Sequence, residues 1–308
     1  NLHRAIALIT PLIEEKGKTA SEHALALQVQ LSMALLVRVG YGADVTISAF
    51  EHALTLADKI GETPLRYSVL YGLWIGKGIR GEFAEALMRA EALVEQAAKS
   101  LETAPFVVAN RVAGATNFFV GNFAEADKYL AIALKNYDPV AHAGLASGFG
   151  QDIGVSINVF AAHQNLLVGQ TQKAWAHSND SENIAKTTKH VQSIGYMLVI
   201  RALFAMDARD YALVERCVSE VEPIAHEHKL TVWHDFAGLL REILRARNGD
   251  TGSFERYLQA DAAIIATESR MFIPQIRIEM GWTALSKGRR EVAEKLATMA
   301  RALIEQTG

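Results

Sequence analysis

Cysteine and proline are scarce in this chain: Cys217 is the one cysteine, and there are six prolines in 308 residues. A single thiol excludes a disulfide framework and fits a reducing compartment, so a cytoplasmic location is expected. Cys217 follows Glu215 and Arg216 in a predicted helix and reads as a small core or boundary residue. Few prolines in a chain that is 50% hydrophobic argue against disorder. An excess of charge of one sign is also lacking, with 31 basic and 34 acidic residues and a net charge of −3. Lys and Arg are scattered singly, so no basic field is available to hold a nucleic-acid backbone. Long apolar runs are missing too. The stretches from Tyr196 to Ile200 and from Ala202 to Met206 flank Arg201, and neither could span a bilayer. Residues 1–20 lack the charged start and small-residue cleavage site of a signal peptide. The chain opens on Asn1 in mid-helix, as expected of a fragment of a longer multidomain protein.

What is present is a repeat. Arg80-Gly81-Glu82-Phe83-Ala84-Glu85-Ala86 returns as Val120-Gly121-Asn122-Phe123-Ala124-Glu125-Ala126. Weaker copies lie at Val168-Gly169-Gln170-Thr171, Ala208-Arg209-Asp210-Tyr211, Asn248-Gly249-Asp250 and Lys287-Gly288-Arg289. With Gly81, Gly121, Gly169, Ala208, Gly249 and Gly288 as markers, the steps are 40, 48, 39, 41 and 39. A period near forty in an Ala- and Leu-rich chain predicts stacked helical hairpins, each unable to bury its apolar face alone. The expected fold is all-α. It is an α-solenoid of about seven hairpins, wound as a right-handed superhelix and forming one continuous domain over residues 1–308.

In each hairpin the first helix (A) ends at the glycine, which accepts a left-handed cap at little steric cost, and the second helix (B) follows. Residues 1–17 read as an orphan B helix and 19–39 as the next A helix, with Pro64 and Ala84 near later helix starts. The long step between Gly121 and Gly169 places extra residues at Gly144, Gly148, Gly150 and Gly154, where four glycines weaken a helix. That segment reads either as a longer loop or as a backbone lip on a groove.

Motifs for chemistry are weak. Gly72-Leu73-Trp74-Ile75-Gly76-Lys77-Gly78 is one residue short of a P-loop, has Gly78 where Ser or Thr should hold magnesium, and follows no strand. Gly148-Phe149-Gly150-Gln151-Asp152-Ile153-Gly154 has one residue too many for a dinucleotide fingerprint. His226 and His228 are two apart and would diverge on one helix, so with His234 they read as helix-end residues and not as metal ligands. No Ser-His-Asp or Cys-His arrangement is recognisable. The sequence therefore predicts no enzyme, no cofactor and no metal site.

Polar residues inside apolar A helices either face a groove or pair in the core. The candidates for a groove that binds a protein, peptide or small inducer are Tyr67, Tyr71, Trp74, Asn110, Arg111, Asn117, Asp152, Asn158, Gln164, Tyr196 and Arg201. Aromatics would supply contact area, and amides and guanidinium would supply orientation.

Several phrases resemble one family together. They are Tyr71-Gly72-Leu73-Trp74, Arg80-Gly81-Glu82-Phe83, Asn136-Tyr137-Asp138-Pro139, Phe149-Gly150-Gln151-Asp152-Ile153-Gly154-Val155 and Met280-Gly281-Trp282-Thr283-Ala284-Leu285. Over nearly the whole length they are similar to the tetratricopeptide-like (TPR-like) region of bacterial STAND-type signalling ATPases, which carry a nucleotide cyclase or winged-helix DNA-binding domain upstream. Ile153 departs from the proline frequent there. The resemblance implies a sensor or scaffold arm that binds a partner and gates an upstream ATPase module, with no catalytic residue of its own. The alternative is an oligomerisation platform of the same regulator, which would carry an apolar patch on the convex face or the terminal repeat.

Overall fold

A computed structural model of the chain describes residues 12–61, 63, 65–100 and 102–307. The described residues form helices and no strands. Seven hairpins follow one another: α1 (Leu12–Val39) with α2 (Asp44–Ile60), α3 (Leu65–Arg80) with α4 (Phe83–Ala98), and α5 (Thr103–Phe119) with α6 (Phe123–Asn136). After a short helix α7 (Leu145–Phe149) come α8 (Ile153–Leu167) with α9 (Thr171–Thr188), and α10 (Val191–Asp207) with α11 (Tyr211–Glu227). The last are α12 (Thr231–Arg247) with α13 (Ser253–Ala266), and α14 (Ile273–Ser286) with α15 (Arg290–Thr307).

One turn recurs between the paired helices. Gly81, Gly121, Gly169, Gly249 and Gly288 all have positive φ, between 71° and 98°. At Gly121 the N–H bonds the Phe118 carbonyl at 3.1 Å and the Asn122 N–H reaches back to Asn117 at 2.9 Å, the pairing of a Schellman cap. The same pair of bonds recurs at Gly81, Gly169, Gly249 and Gly288. Between α10 and α11 the equivalent residue is Arg209, at φ 60°, and not Ala208, so that repeat marker moves by one residue. The Arg209 guanidinium is engaged with Glu279 and Tyr211, and Lys229 takes the same cap conformation between α11 and α12.

Two boundaries differ from the sequence reading. Residues 12–39 form one continuous helix, with no break between an orphan B helix and an A helix. A single interior glycine, Gly17, costs about 1 kcal/mol, too little to end a 28-residue helix. Residues 1–11 of the orphan helix, and Pro64, lie outside the described residues. In the segment with the four glycines, α7 ends at Gly150, which is left-handed at φ 79°, and Asp152 then caps α8 by accepting the Val155 N–H at 3.0 Å.

The chain divides into two compact units: residues 1–101 with 266–271 and 307–308, and residues 102–265 with 272–306. In the first unit, Phe50 is the packing centre, buried among Leu25, Ile47, Leu56, Val69 and Leu73. Gly72 makes room for this ring: a Cβ there would stand 2.3 Å from Phe50. In the second unit the A helices α5, α8 and α10 are apolar nearly all round and form the middle of the stack. Residues 107–117, 153–165 and 195–206 are buried without interruption. The B helices are amphipathic. In α11, Leu213, Val214, Cys217, Val218, Val221 and Ala225 make one buried face, as helical periodicity requires.

Candidate functional site

The eleven candidate residues separate into groups, and ten of them are buried, Tyr67 being half-buried. Tyr67, Tyr71 and Trp74 lie on α3 in the first unit, where the Tyr71 and Trp74 rings meet at a tilt with centroids 5.3 Å apart. In the second unit the amides mostly turn back on their own helices. Asn110, Asn117 and Asn158 donate to the carbonyls of Phe106, Ala113 and Gly154, each four residues earlier, at 2.8–2.9 Å. An amide satisfied in this way needs no groove, which is why polar residues inside these helices are compatible with burial. Asn158 also meets Nδ1 of His177 at 2.8 Å, and Gln164 donates to the Phe123 carbonyl at 3.4 Å. Arg201 crosses to α9, where it donates to Asn179 at 2.8 Å and pairs with Glu182.

Arg111 and Tyr196 behave differently, because they belong to a row that crosses four successive A helices. The Arg111 Nε on α5 donates to Ser156 Oγ on α8 at 2.6 Å. Ser156 Oγ lies 3.3 Å from the Tyr196 hydroxyl on α10. The Tyr196 ring meets Trp233 of α12 edge-on at 5.4 Å. Gly195 permits that approach, since a Cβ there would stand 3.0 Å from the Trp233 ring. The Trp233 indole N–H is buried and has no hydrogen-bond acceptor.

The glycine-containing segment after α6 reaches this row. With its amide oriented to satisfy both ends, Gln151 accepts from the Arg111 guanidinium and donates to the Phe149 carbonyl at 2.9 Å. The base of the segment is fixed by Asp152, the candidate that turns out to be its anchor. The Tyr137 hydroxyl donates to both Asp152 carboxylate oxygens at 3.1 and 3.2 Å, and the Asp152 N–H donates to Ser193 Oγ at 2.7 Å. Burial and the Asp152 carboxylate raise the Tyr137 pKa, so the phenol keeps its proton and remains the donor. A Cβ at Gly154 would lie 2.4 Å from the Tyr137 ring, so glycine is required for this close approach.

Residues of the second unit also meet across non-neighbouring hairpins. Phe272, at the start of α14, packs on Phe119 of α5 at 5.4 Å and on Phe236 of α12 at 6.3 Å. Glu279 of α14 accepts from Arg209 at 2.6 Å and from the Tyr211 hydroxyl, while the Arg247 guanidinium lies 3.3 Å over the Tyr211 ring. Sequence reasoning missed Gln151, Trp233 and Glu279. The available signal for Trp233 was its place one repeat after Tyr196. Glu279 could be read only as an acid inside an otherwise apolar A helix.

No protein-family model matches the chain, and no curated protein matches it in sequence. Solved structures that share the fold include two Rap proteins. A Rap protein crystallised in complex with Competence and Sporulation Factor aligns with a TM-score of 0.71 and 10% identity, over 98% of this chain and 79% of that one. The apo form of RapI aligns with a TM-score of 0.61 and 11% identity, over 92% of this chain and 99% of that one. The fold is thus that of a TPR-like helical-repeat solenoid. No described helix is long and apolar enough to cross a membrane.

Proposed function

We propose that the second unit is the peptide-receiving part of a sensor or scaffold arm, in which the segment 144–152 is a lip over the buried Arg111–Ser156–Tyr196–Trp233 row and a peptide takes the place of that lip along the row. The carrying observation is the Gln151 amide oxygen resting on the Arg111 guanidinium. A carbonyl oxygen borne on a connecting segment occupies the position that a peptide carbonyl or carboxylate oxygen would take. The spacing suits an extended chain. Adjacent helices lie about 8–10 Å apart, and about three residues of extended backbone cover that distance. One group per repeat would then meet every third residue of the peptide, and displacement of the lip would give the buried, unsatisfied Trp233 indole N–H a backbone carbonyl.

The chemistry of the row supports binding over catalysis. Ser156 is held by Arg111 and Tyr196, neither of which is a general base at neutral pH, so its hydroxyl is not activated as a nucleophile. Similarity in fold to a Rap protein solved with a signalling factor supports the same reading. The sequence phrases from Tyr71 to Leu285 favour an arm that gates an upstream ATPase module in a bacterial regulator.

The test is a peptide-display selection on the chain, followed by titration of an enriched peptide against the parent, Tyr196→Phe and Trp233→Phe. Each variant removes one hydrogen-bonding group and is expected to weaken binding about tenfold with little change in melting temperature. Failure to enrich any peptide, or unchanged affinity in both variants, would reject the proposal.

A further inference from the structure

The row Arg111–Ser156–Tyr196–Trp233 carries one charge, and it stands at one end. The Arg111 guanidinium is 1% exposed on α5, the first helix of the second unit. Toward α12 the row continues through Ser156, Tyr196 and Trp233, whose polar groups are two hydroxyls and an indole N–H. A ligand matched to this row has an anion at one end and a neutral body. An extended peptide has that form when its C-terminal carboxylate lies at α5 and its backbone carbonyls follow the row.

The lip defines what the anion must displace. Gln151 rests a neutral amide oxygen on the Arg111 guanidinium. The neighbouring acid, Asp152, is occupied elsewhere, accepting from the Tyr137 hydroxyl and the Val155 N–H. A peptide carbonyl arriving at Arg111 would exchange one amide oxygen for another and gain nothing over the lip. A carboxylate does gain: charge-assisted hydrogen bonds are about twice as strong as neutral ones, and its two oxygens match the fork of guanidinium N–H donors. A side-chain carboxylate would leave backbone running on past α5, where the row offers no further group. A terminal carboxylate ends the chain there.

Resting on the reading of the second unit as peptide-receiving, we propose that its ligand is a peptide with a free C-terminus, whose terminal carboxylate sits on Arg111 and whose chain runs back toward Trp233. Gln151 is then the residue that sets specificity for an anionic end, because only a charged acceptor outcompetes its amide. Three helix-to-helix steps, α5 to α8, α8 to α10 and α10 to α12, make up the row. At about three extended residues per step, about nine residues before the C-terminus take part in binding.

The test starts from random peptide libraries displayed with free and with blocked C-termini, and the enriched peptide is synthesised as the acid and as the C-terminal amide. Titrated into the parent, the amide is expected to bind about thirtyfold more weakly than the acid. Gln151→Glu sets a carboxylate of the chain itself on Arg111, so affinity for the acid is expected to fall about tenfold or more while the melting temperature rises. Direction is read by shortening the peptide from its N-terminus. Cut to about six residues it no longer reaches α12, and it should bind Trp233→Phe as well as the parent. An amide that binds like the acid overturns the proposal. So do undiminished binding by a folded Gln151→Glu, a shortened peptide that still distinguishes Trp233→Phe, and enrichment from the blocked library alone. In each of those outcomes a peptide is bound, so the peptide-receiving reading stands without this refinement. If neither library yields a peptide, both fall.

Discussion

Helix α10 is buried along twelve consecutive residues, 195–206, whereas α14, equally an A helix, leaves Ile278, Trp282 and Leu285 about half exposed. Neither helix gathers its polar residues on one face, so periodicity does not distinguish them. The difference lies in neighbours: α10 packs between α8 and α12, and α14 has α12 on one side. Burial of an A helix is thus a property of its neighbours in the stack as much as of its own residues. A polar residue in a central A helix must be satisfied by the protein itself, while an apolar residue on α14 is left partly in solvent.

The comparison can be tested at both ends. The largest effect is expected for Arg111→Ala on α5, since Arg111 is a fully buried side chain and its loss strips a partner from Ser156 and from Gln151. A destabilisation of about 3 kcal/mol, seen as a lower denaturation midpoint, is expected. A change under about 0.5 kcal/mol would mean that Arg111 is not part of the core. Gly154→Ala on α8 comes next, at about 2 kcal/mol, because the new methyl meets the Tyr137 ring. Parent-like stability there would show that Tyr137 moves freely, and the Asp152 anchor with it.

A smaller effect should appear as pH dependence. Burial lowers the pKa of His163, whose Nδ1–H donates to the Val159 carbonyl at 3.0 Å. Its folded pKa therefore lies below the unfolded value, about 6.5, and below that pH the unfolded chain binds the extra proton. The stability gained from neutral His163 is complete above about pH 6.5 and lost as pH falls, at no more than about 1.4 kcal/mol per pH unit. His163→Gln should flatten the slope of melting temperature between pH 7.5 and 5.5, and an unchanged slope would refute this. The smallest effect is expected at the exposed end. Trp282→Ala should alter the stability of the chain by about 0.5 kcal/mol or less, and a loss comparable to Arg111→Ala would make Trp282 core.

Much of the architecture was readable from a few residues. Gly81, Gly121, Gly169, Gly249 and Gly288 marked the turns because a left-handed cap selects glycine. Arg209 hid the turn between α10 and α11, since a non-glycine residue takes the left-handed cap there. Ten of the eleven candidates lie on α3, α5, α8 and α10 and Asp152 caps α8, but their partners were not legible. Whether Asn158 faces solvent or its own Gly154 carbonyl depends on how the next helix packs. Gln151 meets Arg111 across a whole repeat of chain, and Phe272 meets Phe119 across several hairpins; no local period encodes such contacts.

The most direct test of the peptide-receiving row is calorimetric titration of a display-selected peptide into the parent and into Gln151→Ala. If the Gln151 amide holds the place of a peptide oxygen on Arg111, removing it relieves a competing contact worth about 1 kcal/mol, and affinity should rise about fivefold. Equal or weaker binding by Gln151→Ala, with the fold intact, would show that the peptide does not take that position and would contradict the account.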